Sequence, residues 1–456
     1  MKFIYRTALS CAALLFCGSL WGQTMNDIYN LQRTSMQYGT PRFMGMSGAF
    51  GAVGGEVSAA SINPAAGAVA VKSEASFTLG AEWYDNKTTF YGTKASKTSD
   101  INVTAFQGGV NVVFTNDAPY SSIAGFNIGV NYSRRNNFNN EVVISGRNNT
   151  ITDWQDGRPY GSSVIEHFFR IARAEGNNPG GSKDLVVEMA KDLGVLYSRR
   201  VGNEVFWESG ADYLNIDQLA QLISSGYMGT TTFSVGMNLN NKVYLGLGFD
   251  YYSLDLGRND IKLDEWGYTS NNSIPHNGIS NLYYDQYTAQ TGWGSAFTLG
   301  IIGRVTDEFR LGFSWKSAAR IYIDEDYSYA MGAKFFDDTF NEGTEHPTYY
   351  TPHSYSFKSP SEWTFSGAYV FGQYGILSVD YMVKDFSKMR FKTDGLKDRN
   401  DIISDQMKIS QTVRIGAEAR LYPVSIRAGF SYIGSPYKDT RSEEHTSELQ
   451  SPLNLV

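Results

Sequence analysis

The chain has 456 residues, a net charge of −7, 46 glycines and 14% aromatic residues. No basic run or stripe marks a nucleic-acid surface. Beyond residue 22 no apolar run is long enough for a transmembrane helix, and mean hydropathy is −0.31; a barrel remains open, because its strands are apolar on alternate residues only.

The N-terminus reads as a secretory signal peptide over residues 1–22. Lys2 and Arg6 form the positive region, Ala8 to Leu20 the apolar run, and Gly22 precedes a cut before Gln23. Both cysteines, Cys11 and Cys17, fall in this leader. The exported chain therefore has no disulfide, thiolate metal site or cysteine nucleophile.

Residues 23–72 differ in character. Met36, Met44 and Met46 surround a small-residue run from Gly45 to Gly55. Small residues suit a segment threaded into a barrel lumen, where backbone meets wall, and irregular backbone is tolerated at membrane depth only when shielded in this way. The glycines lack phosphate-loop spacing, so nucleotide binding is excluded.

Within residues 73–440 several segments alternate strictly with period two. Phe126, Ile128, Val130 and Tyr132 oppose Asn127, Gly129, Asn131 and Ser133. Leu245, Leu247, Phe249 and Tyr251 oppose Gly246, Gly248 and Asp250. The same pattern holds for Phe309 to Lys316, Val413 to Leu421 and Val424 to Tyr432. One face is apolar with aromatics near the ends; the other is small, polar or charged, as in a barrel facing lipid. The pattern predicts about eleven strands, near 74–84, 101–114, 121–135, 229–239, 242–254, 291–305, 309–321, 361–371, 374–388, 408–421 and 424–434. Short connections alternate with long ones, as periplasmic turns alternate with external loops. Single-chain bacterial barrels have even strand numbers, so an odd count points to strands not included.

The longest connection, 136–228, has helical spacing at Ile165 to Ala174, Lys183 to Leu193 and Ile216 to Ser224, with Asn215 or Asp217 as a cap for the third. It reads as a helical extracellular loop. Inward Arg310, Lys316, Arg414, Glu418, Arg420 and Arg427 predict a charge network in the lumen. The apolar phase of Ile101, Val103 and Ala105 gives way to the opposite phase from Phe106 to Phe114, which predicts a bulge at Ala105 and Phe106.

Catalysis is not expected. His167, His276, His346 and His353 all fall in predicted loops, without metal-ligand spacing. Asp324, Glu325 and Asp326 read as a solvated run. No cofactor and no metal are expected.

Glu56, Ser58, Ala60, Asn63, Pro64, Ala65 and Gly67, in the run EVSAASINPAAG, resemble the signature after the N-terminal hatch of FadL/TodX-type outer-membrane transporters. Ala66 intervenes where that family has glycine directly after Pro-Ala. The resemblance implies an all-β, antiparallel, up-and-down transmembrane barrel of about fourteen strands when complete, with a lumen plug and an outer-membrane location. It implies a monomer carrying hydrophobic small molecules, fatty acids foremost, with lateral exit into outer-membrane lipid; the bulge at Ala105 and Phe106 is the candidate gate. Alternative readings are a type IX secretion shuttle of the same family and a haem-binding receptor using the loop histidines. The run RSEEHTSELQS from Arg441 to Ser451 resembles a reading frame of a sequencing adaptor, so residues 441–456 are read as an artefact and the authentic sequence as stopping near Thr440.

Overall fold

The computed structural model describes residues 25–33 and 37–438, apart from 117, 119, 149–152, 156–157, 161–162, 175–184, 202–203, 210, 213–214, 271–277, 337–339 and 346–353, together with 449–450. The leader 1–22 and the tail segments 441–448 and 451–456 lie outside the described residues, as do His276, His346 and His353.

Eleven long strands form the wall. They are β1 (Glu74–Glu82), β2 (Asn102–Thr115), β3 (Ile123–Asn137), β4 (Ile216–Leu239), β5 (Val243–Trp266) and β6 (Ile279–Arg304). Then come β7 (Phe309–Lys316, continued by Arg320–Phe335) and β8 (Tyr355–Lys358, continued by Glu362–Val370). The last are β9 (Gly375–Asp385), β10 (Ile409–Leu421) and β11 (Val424–Ile433). Every strand pairs antiparallel with the next in sequence, giving up-and-down order. Among the described residues no register joins β1 to β11, so the wall has a seam there; a two-residue strand, Leu449–Gln450, pairs with Tyr432 and Ser431.

Alternation sets which way the wall faces. Outward Ile128, Leu247 and Phe365 are 50%, 57% and 50% exposed, whereas inward Asn127, Asp250 and Thr364 are almost fully buried. An apolar exterior around a polar interior inverts the soluble pattern and fits lipid outside. Aromatics gather toward both ends of this band: Phe114 stacks on Phe126 at 4.6 Å near the short turns, and Trp293 stacks on Tyr322 at 4.7 Å further up.

Beyond the band, β4 to β7 run on as a taller sheet. The predicted strands stopped too early there, and Ile216–Ser224 is strand rather than helix. It is paired on one side with Asn140–Asn148 and on the other with β5. Two complete ladders outweigh a helical spacing of apolar residues. Asn215, expected as a helix cap, instead has a φ of 63° just before the strand. Helices α3 (Val164–Ala174) and α4 (Leu185–Asp192) do form. Phe168 and Val187 pack with Ile216, Leu263, Met331 and Ala333 of the tall sheet in one core. Glu265 ties this lid down, accepting the Val164 N–H at 3.0 Å and the Ser163 hydroxyl at 2.8 Å. His167 lies on α3.

Candidate functional site

Residues 38–69 lie inside the wall at the end with the short turns. Helix α2 (Pro41–Gly45) starts the plug; two 3₁₀ turns, Val57–Ser61 and Pro64–Val69, finish it. Phe43, Met46, Phe50, Val53 and Ile62 form its core against inward Tyr244, Ile302 and Ile376.

The hatch residues make the turns. Glu56 caps the first: its carboxylate accepts the Ala59 N–H at 3.1 Å and the Thr40 hydroxyl. Ser58 Oγ accepts the Thr40 N–H at 3.0 Å. These contacts tie the start of the plug to its end. Burial raises the Glu56 carboxyl above the ordinary carboxylate range, opposed by its hydrogen bonds from Thr40 and Ser58. Asn63 caps the second turn by accepting the Ala65 N–H at 3.1 Å. Its amide donates to the carbonyl oxygens of Gly51 at 2.8 Å and Ile301 at 3.2 Å, joining plug to plug and plug to wall. Ala60, Pro64, Ala65 and Gly67 are buried. A Cβ on Gly67 would lie 2.3 Å from the Asn127 side chain.

The wall's polar side chains satisfy the plug's backbone, which has no ladder of its own. Arg310 donates to the Val53 carbonyl at 2.7 Å, Ser314 to Ile62 at 2.8 Å, Lys316 to Ser61 at 3.2 Å and Asn111 to Gly67 at 3.1 Å. Asp380 accepts the Gly51 N–H at 3.1 Å. The predicted lumen charges thus divide by task. Glu418 receives Arg42 of the plug at 2.7 Å, Arg420 at 2.6 Å and Arg427 at 2.9 Å. Lys316 pairs with Asp250 at 2.9 Å. Arg414 is buried on the inner face of β10, across the β9 ladder from Asp380.

The β1–β2 ladder shifts register: Thr78 lies opposite Gln107 and Leu79 opposite Ala105, which leaves Phe106 without a cross-strand partner. Phe106, expected to lead the outward phase, is buried instead. It packs edge-on to Tyr38 of the plug, with ring centroids 5.0 Å apart, while Gln107 also turns inward and donates to Asn131. Tyr38 donates to Glu82 at 2.6 Å, so the plug grips the wall beside the seam.

Above the plug lies a polar cavity of about 40 Å³, lined by Tyr38, Arg134, Arg135, Lys316, Glu362 and Lys384 among others. This is room for a few waters and far too little for a drug-sized ligand. Higher still comes an apolar layer. Helix α1 (Met25–Gln32) places Ile28 and Leu31 in one core with wall residues Tyr252, Ile321 and Phe357 and with Phe391 and Ile403 from the 386–407 connection.

No family model matches the sequence, and no curated protein matches it. Among solved structures the chain is similar to the CymD monoaromatic hydrocarbon channel at 12% identity, with a TM-score of 0.41 and 90% of this chain and 87% of that one covered. It is similar to the Pseudomonas putida toluene transporter TodX at 12% identity, TM-score 0.40, covering 84% and 80%. A Pseudomonas aeruginosa FadL homologue aligns at 13% identity, TM-score 0.32, covering 88% and 90%. Similarity at this level assigns no substrate to this chain.

Beyond the charged residues Arg310, Lys316 and Glu418, sequence reasoning missed the wall side of the site. Asp380, Asp250 and the inward glycines that receive the plug were visible as the small or polar phase of their strands. Nothing in that phase says which positions a plug will touch. Among the described residues no cluster of metal-ligating side chains was found.

Proposed function

We propose that this chain is an outer-membrane channel for hydrophobic small molecules, with long-chain fatty acids as the leading substrates. One observation carries the reading: the lumen is stopped by the chain's own plug and has an apolar layer above it. A pore for hydrophilic solutes has use for neither. An acyl chain gains about 0.8 kcal/mol for each CH₂ kept out of water, so an apolar layer holds it and a water-filled tube does not. The hatch resemblance points the same way.

On this reading the substrate leaves sideways at the register shift, where Phe106 and Tyr38 act as the gate. Passage needs no cofactor, and the chain works as a monomer.

The test is flux through proteoliposomes holding the full chain. Saturable oleate entry, with no swelling in sucrose, is the expected result, and Phe106→Ala should raise the oleate rate. Free passage of sucrose, or oleate entry no faster than through protein-free vesicles, would overturn the reading.

A further inference from the structure

We propose that a basic patch on the outside of the wall, made by Arg320, Lys358, Arg390 and Lys392, binds the phosphate headgroup of a lipid in the surrounding leaflet. The inference goes beyond the channel reading and does not depend on what the channel carries. Alternation decides where the patch faces. Ile321, Phe357 and Phe391 are buried in the inner core, so their strand neighbours Arg320, Lys358 and Arg390 point outward. Ladder register sets these three side by side: Arg320 lies opposite Lys358, and Lys358 opposite Arg390. Lys392 is exposed and extends the face, and its N–H donates to the Ser356 carbonyl at 2.8 Å. On the other flank Arg320 lies opposite Ser295 of β6, between the exposed side chains of Phe297 and Trp293. The Arg320 guanidinium sits over the Tyr322 ring at 5.4 Å, and Tyr322 stacks on Trp293. The patch is therefore continuous with the lipid-facing band, at the aromatic belt away from the short turns, where lipid headgroups lie.

Charge says what the patch is for. Like charges directly opposite one another destabilise a sheet, and here three stand in a row in a chain whose net charge is −7. Among the described residues none of the four cations pairs with a carboxylate. Arg390 donates to the backbone carbonyls of Ser387 and Met389, both at 2.6 Å, which fixes its guanidinium without neutralising it. Asp385 pairs with Lys388 at 3.3 Å instead, and Asp324, beyond Tyr322 on β7, accepts the Ser354 hydroxyl at 2.6 Å. A phosphate is a compact anion whose oxygens suit both an arginine fork and a lysine ammonium. Neighbouring strands are about 4.8 Å apart, so one phosphate reaches two of these cations at once. Long basic side chains lay their stems along apolar neighbours and carry the charge to headgroup level. The apolar flank of Phe297 and Trp293 takes the attached acyl chain, which selects a lipid over a soluble phosphate.

The experiment is native mass spectrometry of the full chain in detergent, titrated with a diphosphorylated glycolipid (lipid A) and with its dephosphorylated form. Wild type should bind the phosphorylated lipid roughly tenfold more tightly or better, because each basic side chain at a membrane surface adds attraction to an anionic headgroup. Arg320→Gln/Lys358→Gln/Lys392→Gln should lose that preference, and Arg320→Lys/Lys358→Arg should keep it. Lys397→Gln, at an exposed lysine of the same connection that pairs with Asp394, should change nothing. Equal binding of the two lipids by wild type overturns the inference, as does a triple variant that keeps the preference. Displacement of the lipid by an equal concentration of inorganic phosphate overturns it too, because it marks an ion site. If the triple variant misfolds, the wild-type comparison of the two lipids decides. None of these outcomes bears on oleate flux, so the channel reading stands or falls separately.

Discussion

Gly312 of the wall and Gly51 of the plug meet backbone to backbone: a Cβ placed on Gly312 would lie 2.4 Å from the Gly51 carbonyl oxygen. Gly246 stands in the same relation to Ala65, whose backbone nitrogen would lie 2.2 Å from an added Cβ. In both cases the neighbour is backbone and cannot rotate away. Gly312→Val and Gly246→Val should each loosen the plug by about 1–3 kcal/mol, the range for overpacking a fitted core. The measurement is open-channel probability in planar bilayers, which should rise for both. Gly367→Val is the control, since a Cβ there meets nothing within 4 Å, and it should stay silent.

Glu418 holds three guanidinium groups at once, and one of them belongs to the plug. Its carboxylate is buried, while the side chains of Arg42, Arg427 and Arg420 are 24%, 21% and 44% exposed. Solvent screening lowers the value of each pair below that of a fully buried bridge. Glu418→Gln should therefore destabilise plug seating by about 1–2 kcal/mol, more at low salt than at high salt. A double-mutant cycle separates the roles. Coupling of Glu418 with Arg42 should appear in hydrogen exchange of residues 40–56, whereas coupling with Arg420 should appear only in unfolding of the whole barrel.

How much of this was readable in advance depends on what surrounds each segment. In the lipid-facing band each strand has one face in lipid and one toward the lumen, so period-two alternation survives in the sequence at Phe126 to Tyr132 and Val243 to Tyr251. Above the band that contrast fades. Ile216, Leu219, Ala220, Leu222 and Ile223 put apolar side chains on both faces of a strand, and their spacing imitates a helix. The plug was readable through its small-residue run and through Glu56 and Asn63 as members of a signature-like run; their capping bonds to Ala59 and Ala65, though only two or three residues away, came from the structure. Its seats on the wall were not readable, because Asp380 meets Gly51 across 329 positions of sequence. The inward turn of Phe106 depends on Tyr38, which reaches it only through the fold.

Asn63 offers a test that separates hydrogen bonding from size. Its amide donates to the carbonyl oxygens of Gly51, Ile301 and Phe313, and its own oxygen accepts the Ala65 N–H. Asn63→Asp keeps the shape and the acceptor but turns a carboxylate toward the Gly51 and Ile301 oxygens. Asn63→Ala removes both functions without adding charge. Because a buried, unpaired charge costs more than a lost neutral hydrogen bond, about 1–3 kcal/mol, the aspartate variant should be the more damaged. Thermal unfolding in detergent, followed by tryptophan fluorescence, should rank wild type above Asn63→Ala above Asn63→Asp at neutral pH. Lowering the pH to protonate the new carboxyl should narrow the gap between the two variants.

Glu56 gives the plug a pH dependence whose sign follows from its burial. The folded-state value is raised, chiefly by desolvation and against the hydrogen bonds it accepts. Its contribution is therefore fully present below the unfolded value, about 4.3, and is lost as pH rises through the raised folded value. The plug should sit most firmly in mild acid and loosen toward neutral pH. Glu56→Gln cannot titrate and should remove that slope, while the loss of one acceptor for the Thr40 hydroxyl and the Ala59 N–H leaves it somewhat weaker throughout. The check is hydrogen exchange of residues 40–62 from pH 4 to pH 8, corrected for the intrinsic rate. Wild-type protection should fall across that range and the glutamine variant should stay flat; parallel profiles would place the pH response elsewhere in the lumen.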